Sequence, residues 1–184
     1  MSSIISRNPI KGNILKSLRE EEWLQDEECL TDPEYLECVH DILKDETFQS
    51  MKQYVQHGCT TTLTHCLHVS YYSYKVCRRY GLDYRSAARA GLLHDLYLYD
   101  WHTHAKETGE HFHGFTHPRV ALRNAEKIFV LNAVERDIIL KHMWPLTIVP
   151  PRTWEGMVVM FADKHCGLTE TVHRFGGRKV AATV

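Results

Sequence analysis

The sequence predicts an all-α protein, on three observations. Apolar residues recur every three to four positions along most of the chain, and helix start and stop signals bracket those stretches. No alternation of apolar and polar residues is long enough to claim a strand. The length of 184 residues suits one compact domain, and 43% hydrophobic and 24% charged residues are close to ordinary globular usage. We divide it into an N-terminal helical arm, residues 1–58, packing on a core formed by residues 59–184.

Residues 1–30 are polar and mixed, with acidic runs at Glu20–Glu22 and Asp26–Glu28, and read as a peripheral arm or short helix. Thr31-Asp32-Pro33-Glu34 is a start signal, a capping residue followed by proline at the first helical position. Tyr35, Leu36, Val39, Ile42 and Leu43 then mark one helical face. A second helix is expected over about 46–56, stopped by His57-Gly58. A long helix follows from Thr62 to Tyr80-Gly81, and another from Tyr84 to about Tyr97. The centre of the latter, Ala87-Ala88-Arg89-Ala90-Gly91, is rich in small residues that allow close helix packing. Residues 98–116 read as an aromatic and histidine-rich loop, in which His102, His104 and His111 belong to a solvated lid. Further helices are expected after Pro118, near 132–143 and near 153–174, with Pro145, Pro150 and Pro151 enforcing an irregular connection.

The charge balance excludes some functions. With 22 basic and 23 acidic side chains, nothing draws the protein toward a nucleic-acid polymer or an anionic membrane. Met1–Arg7 lacks the basic region and apolar run of a secretory signal, and no stretch reaches the ~18 apolar residues of a membrane span. The six cysteines form no C-x-x-C pair. They read as reduced, mostly buried thiols in a cytoplasmic protein.

The outlier is histidine. Thirteen in this length exceed what packing needs, and histidine is the commonest metal ligand. His65 opens the long helix, His94-Asp95 stands near the end of the next, and His117 abuts the start at Pro118. His142 ends the following helix, and Asp163 lies midway along the last. Each is about one helix and one connection from the next, so a bundle can aim them into one interior cavity. Imidazole and carboxylate together suit iron, manganese, nickel, cobalt or zinc, and an aspartate beside a histidine can bridge two such ions. His68 competes with His65, and His113 with His117; the sequence context favours His65 and His117.

The order His65 … His94-Asp95 … Asp163 is similar to the signature of the HD-domain metal-dependent phosphohydrolases. His65-Cys66-Leu67-His68-Val69 and Ala90-Gly91-Leu92-Leu93-His94-Asp95 resemble the family's first two motifs. His117-Pro118 and His142 resemble the extra histidines of its six-ligand, binuclear members. The resemblance covers roughly residues 60–175.

It implies a helical bundle with a metal site in its core, holding one or two divalent transition metals. His65, His94, Asp95 and Asp163 would form the basic quartet. His117 and His142 would complete a second metal site, with Asp95 bridging. Asp95 and His94 are the catalytic candidates. The implied reaction is hydrolysis of a phosphoester or phosphoanhydride of a small molecule, a nucleotide foremost, by a metal-activated water. The lysine that many relatives carry shortly after the HD pair is not found in Leu96–Trp101. Arg119, Arg123 and Lys164 are the candidate contacts for an anionic substrate. Two alternatives stand beside hydrolysis: a di-iron oxygenase of the same fold, and a non-catalytic metal- or nucleotide-binding regulatory module. A homodimer is an expected assembly.

Overall fold

Asp32 separates the first two helices, α1 (Glu28–Thr31) and α2 (Pro33–Leu43). Its carboxylate accepts the backbone N–H groups of Glu34 and Tyr35 at 3.0 and 3.1 Å, while Pro33 occupies a position whose N–H would go unused. The computed structural model describes residues 28–57, 60–100 and 113–177. The arm before residue 28, the Cys59 thiol and the lid histidines His102, His104 and His111 therefore lie outside the described residues.

The expected helix over 46–56 is not continuous. A short α3 (Glu46–Gln49) passes into a 3-10 turn at Ser50–Gln53, and strand β1 (Val55–His57) pairs antiparallel with β2 (Thr60–Thr61). Tyr54 adopts extended backbone and its carbonyl accepts the Thr62 N–H at 2.8 Å, so the chain gains a hairpin bond in place of a helical one. Among the described residues, this small hairpin is the exception to a helical architecture.

Thr61 then caps α4 (Thr62–Arg79), accepting the Thr64 N–H. Gly81, at φ +68°, reverses the chain after α4 in the left-handed region that glycine tolerates. Asp83 caps α5 (Tyr84–Leu93), which ends four residues before the expected Tyr97. Leu98 has φ +62°, and the Leu96 carbonyl is claimed by Asn124, so the backbone there bonds outward instead of along a helix. Helix α6 (His113–Ile128) starts before the expected Pro118, which is tolerated inside it near the N-terminus. A capping box of Asn132 and Glu135 opens α7 (Ala133–Lys141), and α8 (Trp154–Gly177) closes the described chain.

Helices α4 and α5 form the most extensive pair, with α8 laid across α4 and contacting α5 and α7 as well. Helices α2, α6 and α7 complete the bundle. Close approach of α4 and α5 depends on Gly91, where an added Cβ would stand 2.7 Å from the Ser70 Cα. The core is continuous from Tyr35, Val39 and Ile42 through Leu63, Leu67, Leu92 and Leu93 to Ile138, Val159 and Ala162. Buried Arg89 ties three helices, bonding Glu135 at 3.0 Å, Asp41 at 2.6 Å and the Cys38 carbonyl at 3.2 Å. Cys29, Cys38, Cys66, Cys77 and Cys166 are buried thiols outside any disulfide. No helix of the described residues is long and apolar enough to cross a membrane.

Candidate metal centre

Two of the singled-out histidines owe their orientation to the same local device. His94 follows the last residue of α5 and His142 the last residue of α7. Each turns its Nδ1 back onto a carbonyl three residues earlier, His94 to Gly91 at 2.8 Å and His142 to Ile139 at 2.9 Å. An Nδ1–H donated there leaves Nε2 as the outward lone pair. Two helix C-termini thus present imidazoles, and the negative ends of their dipoles, to one interior point. His65 reaches it from the first turn of α4, Asp95 from the turn after α5, His117 from α6 and Asp163 from α8.

Among the described residues, two groups of side chains could each hold an ion. His65, His94 and Asp163 form one, and His94, Asp95 and His142 the other, with ligand atoms in each within 4.8 Å of one another. In the first, His65 Nε2 stands 3.1 Å from Asp163 Oδ1 and His94 Nε2 stands 3.7 Å from it. In the second, Asp95 Oδ2 lies 3.5 Å from His94 Nε2, while its Oδ1 lies 3.5 Å from His142 Nε2. His117 joins the second group, its Nε2 2.9 Å from His142 Nε2 and 3.1 Å from Asp95 Oδ1. Asp95 therefore points Oδ1 at His117 and His142 and Oδ2 toward His94, the residue that the two groups share.

The donor set fits a metal on two counts. Ligand atoms ~2.1 Å from one ion stand ~3.0 Å apart across a right angle and ~3.4 Å apart across a tetrahedral one, which is the range of most of these separations. Among the described residues, His94 Nε2 and Asp95 Oδ1 are also buried without a well-aligned hydrogen bond, their polar neighbours being the other members of the cluster. Buried polar atoms are rarely left so, and here both aim into the cluster.

The electrostatics agree. Burial alone would raise the Asp95 pKa, but His94, His117 and His142 hold the carboxyl far below the ordinary range. Burial likewise opposes ionisation of Asp163, which His65 and His94 keep well below its usual value. Burial disfavours a charged His65, yet Asp163 and Glu170 raise its pKa to about 10. His142 goes the other way: burial, reinforced by His94 and His117, lowers it to about 3. The carboxylates that favour imidazolium would equally favour a metal cation.

A cavity of about 700 Å³ opens onto the cluster. Asp95, His117, His142, Asp163 and Lys164 line one side, and Met143, Pro145 and Leu146 supply an apolar wall. Lys164, expected as an anion contact, donates its Nζ to the His142 carbonyl at 3.0 Å beside the cavity. Partial burial lowers its pKa. Arg119 and Arg123, with the same expectation, are exposed on α6 and are not among the described residues lining the cavity.

Two further residues were not singled out from the sequence. Glu170 is buried and spans His65 and His68, its Oε2 2.9 Å from His65 Nδ1 and its Oε1 3.1 Å from His68 Nδ1. Spacing could have found it, since residues seven apart on a helix share a face and Asp163 is seven before it. His68, the rival of His65, thus faces Glu170. Gln56 donates to Asp95 Oδ2 at 2.5 Å and accepts from the Tyr97 hydroxyl. It was read as helical, and only the hairpin carries it to Asp95.

A bundle whose helix ends converge on histidines and carboxylates able to hold divalent ions defines a class of protein. The sequence model of the HD domain matches residues 62–166, more than half of the chain. The chain belongs to the HD domain family, whose members are mostly metal-dependent hydrolases. Comparison with curated proteins and with solved structures gives no match.

Proposed function

We propose that the protein is a binuclear, metal-dependent phosphohydrolase acting on a small phosphorylated molecule, a nucleotide foremost. One observation carries the reading: at the base of a cavity two ligand groups share His94, and Asp95 presents one oxygen to His94 and the other to His117 and His142. His65, His94 and Asp163 would hold one ion, and His117 and His142 the second, with Asp95 between them. When bound, divalent ions supply activation of water and neutralisation of charge on a phosphoryl group.

The chain's own residues do the rest. The Nδ1 bonds of His94 and His142 to their helix carbonyls fix each ring, so neither must reorganise during the reaction. Gln56 steadies Asp95 by donating to its Oδ2. Lys164 stands at the cavity wall, where its ammonium can meet a phosphoryl oxygen while the Met143–Leu146 side accepts the apolar or aromatic part of a substrate.

The test is elemental analysis of untagged protein prepared without chelators, followed by turnover of a phosphoester and dinucleotide panel with manganese, iron, cobalt or nickel. The expected result is close to two equivalents of metal per chain, and turnover that Asp95→Ala abolishes. One equivalent would reduce the site to a single ion. No bound metal after reconstitution, or no turnover above Asp95→Ala, would overturn the reading.

A further inference from the structure

We infer that the exposed face of α8 is a dimerisation seam, and that its occupant is α8 of a second copy of this chain. The inference is independent of the proposed chemistry. Along this helix the buried positions Val159, Met160, Ala162, Cys166 and Glu170 face the core. The opposite side should then be polar, as on an ordinary amphipathic helix. It is not. Trp154, Phe161, Leu168 and Val172 are 73, 60, 65 and 58% exposed.

Their spacing identifies the partner. Trp154, Phe161 and Leu168 recur at intervals of seven, and His165 and Val172 fall between and after them to give steps of four, three and four from Phe161. Alternating steps of four and three are the pattern of a seam between two helices. The surface asks for another helix with the same repeat, and a second α8 supplies it by symmetry, since a two-fold interface joins one patch to itself.

The area is sufficient. Large side chains present on the order of 150–250 Å² each when fully exposed, so these four, with Tyr72 beside them on α4, at 47–73% exposure offer roughly 500–600 Å² per copy. Pairing two copies removes about 1,000–1,200 Å² from water, the lower limit of a specific interface. Tyr72 extends the patch because its ring rests 5.5 Å from that of His165, between the two helices. An apolar patch of this size is at the upper end of the largest that a soluble monomer exposes, and such patches are often functional.

The experiment is sedimentation equilibrium or light scattering on the full-length chain at about 1–100 µM, with Leu168→Glu, Phe161→Glu and Val172→Glu as variants. Val130→Glu, at a highly exposed apolar position on the α6–α7 connection, is the control. A dimer is expected for the wild type and for Val130→Glu, and a dissociation constant raised at least a hundredfold in each α8 variant. Circular dichroism shows whether a variant has kept its fold, and three separate positions leave the test standing if one does not. A monomeric wild type would overturn the inference, the face then being covered by another segment of the same chain or left open. A dimer untouched by any folded α8 variant would overturn it equally, placing the interface elsewhere.

Discussion

Replacing Gly91 by alanine should destabilise the protein and disturb the metal centre together. The new Cβ would lie 2.7 Å from Ser70 Cα, 3.1 Å from Ser70 N and 3.3 Å from Ser70 Cβ. Non-bonded carbons settle at ~3.5–4.0 Å, so α4 and α5 must part locally by roughly 1 Å. Ser70 cannot step aside without loss. Its hydroxyl donates to the Ala88 carbonyl at 2.7 Å and meets the buried Tyr35 hydroxyl at 2.8 Å.

Overpacking costs roughly 1–3 kcal/mol, and a clash with backbone belongs at the upper end. The intrinsic helix preference of alanine over glycine offsets up to about 1 kcal/mol. The net loss of about 2 kcal/mol lowers Tm by about 4–8 °C in a domain of this size. His94 is three residues beyond Gly91 and bonds its carbonyl, so the same shift moves a candidate ligand away from His65 and Asp163. Thermal unfolding followed by circular dichroism, and a Mn²⁺ titration of the folded variant, measure the two effects. A Tm equal to or above that of the wild type would refute the packing argument. A lowered Tm with unchanged Mn²⁺ affinity would refute the link to the site.

Three further outcomes are expected. Glu170→Ala should weaken Mn²⁺ binding about 10- to 100-fold by freeing the His65 ring, with Glu170→Gln closer to wild type because its amide oxygen still accepts the Nδ1–H; equal affinities in competition with a chelator would contradict it. Lys164→Met should raise KM for a phosphorylated substrate about tenfold, the scale of one charge-assisted hydrogen bond, and leave metal content unchanged; an unchanged KM would remove Lys164 from the substrate path. For chelator-treated protein, urea midpoints should peak near pH 6.5. His142 stays neutral in the fold down to about 3 while the unfolded imidazole protonates near 6.5, so stability falls as the pH drops between those values. Glu170, lowered to about 2, contributes above 4.5 and loses that contribution in stronger acid. His65, raised to about 10, contributes fully below 6.5 and loses it as the pH climbs through 10. A flat profile from pH 4 to 9 would show that these pairings do not couple to folding.

The all-helical character was legible because it rests on local information. A 3.6-residue period, a capping aspartate at 32 and a glycine at 81 act within a turn or two, and each holds in the structure. The candidate ligands were legible for a related reason: helix ends are marked in sequence, and His94, His142 and His65 stand at helix ends. Where prediction failed, a contact from far along the chain outweighed the local preference. Residues 50–56 left the expected helix because Tyr54 and Val55 pair with Thr61 and Thr62. Helix α5 stopped early where Asn124 takes the Leu96 carbonyl. Gln56 meets Asp95 across 39 residues, and Glu170 meets His65 across 105. No local signal encodes the first, and the second is marked only by Glu170 sharing a helix face with Asp163 seven residues earlier. The same holds for the division of labour among the cations, because burial and direction are properties of the packed bundle. Lys164 faces the cavity on α8 while Arg119 and Arg123, equally plausible in the sequence, face solvent on α6. Residue type and spacing could name which side chains are candidates for chemistry; which of them share one point in space depended on how five helices crossed.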